Sequence, residues 1–346
     1  MFKRNDFRRL RSALMLEGAP DRVPLIELHV NPQVQAAYLG RPIASAKDRV
    51  DFWMKAGYDY VPAELGLIQV GGVFSGDATT VKKGSYSVYS EEDVEMNWAA
   101  EHKGVVTSLE EFERFRWPKV DTMDFSILDD LSALLPEEVK IIAILGKVFT
   151  AAWMLMGFET FAMATVEGSD LLEPLFQRIG ELQYGALARA LECERVGAAW
   201  MSDDIAFGTG LMVKPEVLRR YVFPWYRKMG ALCREKDLPF IYHSDGRLFD
   251  VLEDLIGVGF NALHPIEPKA MDSRELKKMV AGDLCLLGNV EVDRLSRGTP
   301  DEVRQIALDN IRDLAYDGGY CLGSSNSVTS YVPVENYRAM IKTVFE

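Results

Sequence analysis

The chain has 346 residues, 48% hydrophobic and 26% charged, with a formal net charge of −13. That is long enough for one large core or two domains, and ordinary in composition for a globular enzyme. The acidic balance argues against nucleic acid and against anionic membrane surfaces as partners. No apolar run is long enough to span a membrane. The N-terminal "MFKRNDFRRLRSALMLEG" lacks the apolar region of a secretory signal. Cys193, Cys233, Cys285 and Cys321 form no C-x-x-C pair, which predicts reduced thiols in a cytoplasmic protein.

Short apolar runs predict strands at 23–30 "VPLIELHV", 58–64 "YDYVPAE", 140–146 "KIIAILG", 198–204 "AAWMSDD", 239–243 "PFIYH", 261–264 "NALH", 284–289 "LCLLGN" and 319–323 "GYCLG". Near-continuous apolar runs of this length suit strands buried on both faces of a parallel sheet. Helical patterns fill the intervals: a long amphipathic stretch at 171–196, then 215–236 with Pro215 in its first turn, 247–258 ending at Gly259, and 299–315. The last opens "TPDEVRQ", with a capping Thr, a Pro and acids in the first turn. Between the second and third strands lies an insertion at 66–135, holding a hairpin-like "GDATTVKKGSYSVYS" and a capped short helix in "TSLEEFERFRWP". Such insertions commonly form lids or substrate walls. The alternation predicts an α/β fold, a (β/α)8 TIM barrel in one domain over 1–346. A doubly wound open sheet is the alternative, weakened by the absence of G-x-G-x-x-G after the first strand.

In such a barrel the C-terminal strand ends build the active site. Those ends carry Glu27 and His29, Glu64, Lys147, Asp203 and Asp204, His243 and Asp245, His264 and Glu267, Asn289 and Glu291, and Ser324 to Asn326. Charged groups after an apolar strand are costly to bury unless paired or bound to a metal. In "IYHSDG" a period of two sets His243 and Asp245 on one side, and Gly246 opens the turn. Those two read as functional and His264 as structural. Glu27 and His29 share a face as either packing or ligand contacts, and one of Asp203 and Asp204 can equally serve as a helix cap. Lys147 reads as a solvated side chain or a phosphate contact. Trp153, Met154, Met156, Trp200 and Phe207 read as core or as walls for an aromatic ring.

From Asp203 onward the chain resembles the uroporphyrinogen decarboxylase superfamily. The matching stretches are "DDIAFGTGLMVKPEVLRRYVFPWYRKM", "IYHSDGRLFDVLEDLIGVGFNALHPIEP", "MDSRELKKM", "LLGNVEVDRLSRGTPDEVRQIALDNIRDL", "GGYCLGSSNSV" and "VPVENYRAMI", with weaker likeness in "RVPLIELH" and "EFERFRWPKVD". The resemblance implies one of two activities. Decarboxylases of that family take a tetrapyrrole with eight carboxylates and carry an arginine-rich N-terminal loop, because arginine clamps carboxylates. Here that region reads "LHVNPQVQAAYLG", without arginine, and the strand ends are acidic. The other class comprises cobalamin-dependent methyltransferases, whose thiol-directed members hold zinc with His-x-Cys and a later Cys. Here His243 matches the His, Asp245 replaces the first Cys, and Ser325 and Asn326 stand where the second is expected. Thiolate chemistry calls for a soft, sulfur-rich zinc site. "GGYCLGSSNSV" with "LGNVEVDRLSRGTPDEV" looks most like the methyltransferases of anaerobic aryl O-demethylase systems.

That resemblance implies transfer of a methyl group from a small methoxylated aromatic compound to the cob(I)alamin of a separate corrinoid protein, by a chain that can form a homodimer. His243, Asp245 and Asp203 are the expected catalytic groups. Glu27, His29, Glu64, Asp204, Asn289 and Asn326 are expected to bind substrate. A Zn2+ ion is expected on His243 with Asp245 or Asp203. Glu27, Glu64, Asp203, His243 and Asn289 should converge on one mouth. The alternative is a carboxy-lyase acting on a porphyrinogen.

Overall fold

A computed structural model of the protein describes residues 5–65, 79–84, 88–89, 94–99 and 104–346. Its strands in chain order are β1 (Tyr60–Glu64), β2 (Thr79–Gly84), β3 (Val94–Ala99), β4 (Lys140–Leu145), β5 (Val196–Ser202), β6 (Ala206–Phe207), β7 (Gly210–Leu211), β8 (Phe240–His243), β9 (Ala262–His264), β10 (Cys285–Val290) and β11 (Tyr320–Ser324). Seven of them form one curled sheet in the order β1-β4-β5-β8-β9-β10-β11, with every pairing parallel. Every residue of β5, β8, β9, β10 and β11 is buried. Burial on both faces is why these strands read as unbroken apolar runs rather than as alternating ones.

Helices cover the sheet. Leu172–Ala190 packs on β4 and Pro300–Leu314 on β10 and β11. The latter starts at the expected capping Thr, which forms a full capping box, the Thr299 hydroxyl accepting from Glu302 N–H while the Glu302 carboxylate accepts from Thr299 N–H; this satisfies two orphan donors. The expected helix at 215–236 instead begins as a short turn, Pro215–Val217, widens to a π turn at Leu218–Val222, and resumes as Phe223–Glu235. Pro224 has no N–H to offer the carbonyl four residues back, so the ladder steps out there.

The expected first strand differs most. Segment 23–30 makes isolated parallel bridges, Leu25 to Leu322 and Val30 to Val328, rather than a continuous ladder. Its backbone meets β11 through Ile26 N–H on Leu322 O and Leu322 N–H on Pro24 O. Toward β1 its contact runs through a side chain: Tyr60 Oη accepts from Glu27 N–H at 2.7 Å and donates to Glu27 O at 2.6 Å. Pro24 and Pro62 each lack a ladder donor. Gly323 lets the two chains close up, because a Cβ there would lie 1.9 Å from Ile26 O.

Much of the expected insertion lies outside the described residues. Within it, β2 pairs antiparallel with β3, Thr79 opposite Ala99, so the hairpin spans more chain than "GDATTVKKGSYSVYS". The short helix is Leu109–Arg114, capped by the Ser108 hydroxyl on Glu111 N–H. Among the described residues no single helix is long and apolar enough to cross a membrane.

Candidate functional site

Because the sheet is parallel, the C-terminal ends of its strands share one edge. In register, Ser202 of β5 stands beside His243 of β8, and His243 beside His264 of β9. The β5 and β8 chains stay paired one residue further, with Asp203 N–H on His243 O at 2.9 Å. Two adjacent acids therefore leave β5 beside His243, and alternation sends them to opposite sides.

Asp203 turns inward and is fully buried. Its Oδ2 accepts from Val148 N–H and Phe149 N–H at 2.7 Å and from the Tyr226 hydroxyl at 2.6 Å, and its Oδ1 accepts from Thr150 N–H at 2.8 Å. These backbone donors open the helix Phe149–Met156, which leaves orphan N–H groups and a positive dipole end. Burial pushes this carboxyl's pKa up, against hydrogen bonds from Tyr226, Thr150 and Phe149. With both oxygens filled, Asp203 is placed as a cap for an earlier helix and not beside His243, contrary to the catalytic and metal role expected for it.

Asp204 takes that place. Its Oδ1 lies 3.5 Å from His243 Nε2 and accepts Asp245 N–H at 2.9 Å, while Asp245 Oδ1 lies 3.8 Å from the same Nε2. Asp245 Oδ2 accepts from Asn326 Nδ2 at 2.7 Å, and Asp245 Oδ1 is buried without a hydrogen-bond partner. The turn beyond is set by Gly246, at φ +89° with the Phe207 carbonyl where a Cβ would stand, and its N–H is taken by Glu267 at 2.7 Å. Neither a left-handed φ nor that approach suits another residue.

Charge follows geometry. Burial pulls the His243 pKa down, but the hydrogen bond and charge of Asp204 outweigh it and the net shift is upward. Burial pushes Asp204 up, but His243 holds it below the usual carboxylate range. Asp245 is raised to about 6, first by burial, with His243 opposing and the charges of Asp204 and Glu267 adding. The cluster thus sets a histidine whose protonated form Asp204 favours beside one carboxylate held below its usual range and a second raised to about 6.

One ligand atom from each of Asp204, His243 and Asp245 lies within 4.8 Å of the other two. A tetrahedral zinc with bonds of about 2.0–2.2 Å sets its ligand atoms roughly 3.4 Å apart, so the 3.5 and 3.8 Å separations around Nε2 fit. The orphaned Asp245 Oδ1 is a donor awaiting a cation or a proton. The set is one nitrogen and two oxygens, harder than the thiolate-rich alternative.

The other expected residues are placed elsewhere. Glu27 is fully buried and gives both oxygens to Ser324, accepting its N–H at 2.7 Å and its hydroxyl at 2.6 Å; burial raises its pKa to about 8. It is a structural link between segment 23–30 and β11. Asn289 adopts φ 80°, a conformation asparagine tolerates, and its Oδ1 accepts from the Tyr320 hydroxyl at 2.7 Å. His29 Nδ1 pairs with Glu64 Oε1 at 3.2 Å, and both line a pocket of about 370 Å³ with Gln35, Arg49 and Trp53. A different pocket, of about 300 Å³, contains Asn326 with Glu267, Lys269, Glu291 and Tyr331. The five residues expected to converge therefore stand on one edge of the sheet, while their side chains serve separate places. Of the aromatic and methionine candidates, Trp200 and Met156 are core, and Phe207 is half exposed beside Gly246.

Sequence reasoning missed one contact at the centre. His243 Nδ1 lies 2.8 Å from His264 Nδ1, both rings buried. The signal was available, since two strand-final histidines on neighbouring parallel strands come into register.

Residues 101–346 match the protein family described as uroporphyrinogen decarboxylase (URO-D). No curated protein matches the sequence. Among solved structures, a methyltransferase from Methanosarcina mazei aligns over 99% of this chain and 98% of its own, with TM-score 0.71 and 18% identity, a likeness of fold. Dispersin B aligns over 93% of this chain and 97% of its own at 10% identity, but its TM-score of 0.43 carries no argument.

Proposed function

The chain belongs to the uroporphyrinogen decarboxylase family, and within it we propose that it is a methyltransferase moving a methyl group from a methoxylated aromatic compound to the cob(I)alamin of a partner corrinoid protein. The observation that carries this reading is the donor set Asp204–His243–Asp245, which is hard where thiol chemistry wants sulfur. An aryl methyl ether presents a hard oxygen to be polarised, and its phenolate leaves poorly unless its developing charge is met, since phenol has a pKa near 10. The same reading takes the seven-stranded sheet with segment 23–30 as a (β/α)8 barrel in one domain.

Cob(I)alamin, when bound, supplies the nucleophile that receives the methyl group, and Zn2+, when bound, supplies a Lewis acid. The chain's residues do the rest. His243 presents Nε2–H, or Nε2 as a ligand, at the mouth. Asp204 holds that group's positive charge, and Asp245, steadied by Asn326, shares it and can pass a proton. As the methyl–oxygen bond breaks, a proton passed from His243 would neutralise the phenolate oxygen; a Zn2+ held by Asp204, His243 and Asp245 would supply Lewis-acid chemistry in its place. A tetrapyrrole with many carboxylates would meet Asp204, Asp245, Glu267 and Glu291 here, which disfavours the decarboxylase alternative.

The test mixes the protein with reduced corrinoid protein and a panel of methoxybenzoates and neutral methoxyphenols, following loss of cob(I)alamin absorbance. Conversion with at least one donor supports the reading. No conversion with any donor, together with loss of carbon dioxide from a porphyrinogen, overturns it.

A further inference from the structure

We propose that the cavity beside the Asp204–His243–Asp245 cluster holds the ring of the methyl donor, and that the charge of its walls selects a neutral methoxyphenol over a methoxybenzoate anion. This names the substrate class within the methyltransferase reading above and rests on it.

The cavity has a volume of about 300 Å³, which suits one substituted ring. Its walls come from the chain that follows β9, β10 and β11, strands that end on the same edge of the sheet as β8. Two residues join it to the cluster. Asn326 lines the cavity and bonds Asp245 Oδ2 at 2.7 Å. Glu267 lines it too, and accepts the N–H of Gly246, one residue past Asp245, at 2.7 Å. A ring lying here therefore stands next to the groups that would meet its ether oxygen. Tyr331 forms part of the lining and offers an aromatic face to an aromatic ring.

The charges of the walls decide which ring. Glu267, Glu291 and Asp293 bring three carboxylates against one ammonium, Lys269. That ammonium is already committed: Lys269 Nζ lies 2.6 Å from Glu291 Oε1, and with its side chain 77% exposed it stands at the rim. Asp293 pairs with Arg297, outside the lining, at 3.2 Å. The hydrogen bond from Gly246 occupies Oε2 of Glu267, and among the described residues no ion pair neutralises that carboxylate. No described lining residue is thus a cation free to receive a carboxylate on the ring, and Glu267 opposes one. Near neutral pH a ring carboxyl is ionised, whereas a phenol with a pKa near 10 keeps its hydrogen. The phenolic O–H can donate to a wall carboxylate in a short, charge-assisted bond. A ring carboxylate in the same place meets like charge, which costs affinity. A methoxyphenol gains where a methoxybenzoate loses.

The test compares two matched donors, meta-methoxyphenol and meta-methoxybenzoate, by the concentration dependence of cob(I)alamin loss with the full chain and its corrinoid protein. Wild type should favour the phenol by at least about tenfold in kcat/KM. Glu267→Gln keeps an acceptor for Gly246, and Glu291→Gln also frees Lys269; each should shrink the ratio by a factor of about three or more. Glu253→Gln removes an acid from the lining of a different surface pocket, controls for net charge, and should leave the ratio as it is. Both donors are read on one preparation of each variant, so partial unfolding cancels from the ratio. A wild-type protein that favours the benzoate, or a ratio that neither cavity variant moves, overturns the proposal. If neither these nor any other donor loses its methyl group, the functional reading fails. Equilibrium dialysis of the same two compounds against wild type and Glu291→Gln then still reads the cavity: tighter binding of the phenol, narrowed in the variant, supports the charge selection, and tighter binding of the benzoate, or binding of neither, overturns it.

Discussion

Asp203 and Asp204 are neighbours in sequence with opposite assignments, so Asp203→Asn and Asp204→Asn make the most searching pair of variants. At 203 the carboxylate meets four donors, three at Oδ2 and one at Oδ1. An amide fits best with its oxygen at the Oδ2 position, which leaves Thr150 N–H facing an NH2 group. One buried donor left unsatisfied costs about 1–3 kcal/mol, and losing the charge from the remaining bonds adds roughly 1 kcal/mol more. Asp203→Asn should therefore lower unfolding free energy by about 2–4 kcal/mol while the folded fraction keeps most of its methyl-transfer rate. Asp204→Asn removes the charge that favours a proton on His243, from a side chain 32% exposed. It should cost under about 1 kcal/mol of stability, as surface changes do, and at least tenfold in rate. Urea unfolding followed by circular dichroism, beside single-turnover loss of cob(I)alamin absorbance, reads both. A stable but inactive Asp203→Asn, with Asp204→Asn active and destabilised, would refute the assignment of the two acids.

His243→Ala should lower methyl transfer by about 10²–10⁴-fold, or roughly 3–5 kcal/mol of barrier, with unfolding much less affected; near-wild-type turnover would move the chemistry off β8. Purified protein should bind one Zn2+ per chain, and Asp204→Ala and Asp245→Ala should each weaken that binding in a metal titration; full activity after chelation leaves proton donation as the mechanism. Glu27 predicts a pH signature. Its folded pKa, raised to about 8 by burial, exceeds the unfolded value, so its contribution is present below about pH 4.3 and is lost as pH rises through 8. The native state binds the extra proton in that window, and stability falls by up to about 1.4 kcal/mol per pH unit from this group. Glu27→Gln, which can accept from Ser324 N–H and donate to its hydroxyl, should flatten the decline between pH 5 and 8 in urea unfolding; an unchanged slope would assign it to other groups.

Seven of the eight expected strands were legible because burial on both faces leaves apolar runs that need no tertiary information. Segment 23–30 carries the same pattern and still makes only isolated bridges. Its apolar residues are buried as expected, but Pro24 and Pro62 remove donors and Glu27 takes the Ser324 N–H that a strand backbone would have taken. Hydropathy reports burial, not who satisfies the backbone. At the site, the period of two placed His243 correctly at a strand end but could not sort Asp203 from Asp204. Both follow the strand, and what separates them is the helix Phe149–Met156, more than fifty residues earlier, whose N-terminal N–H groups claim Asp203. Capping by an acid remote in sequence leaves no local pattern to read.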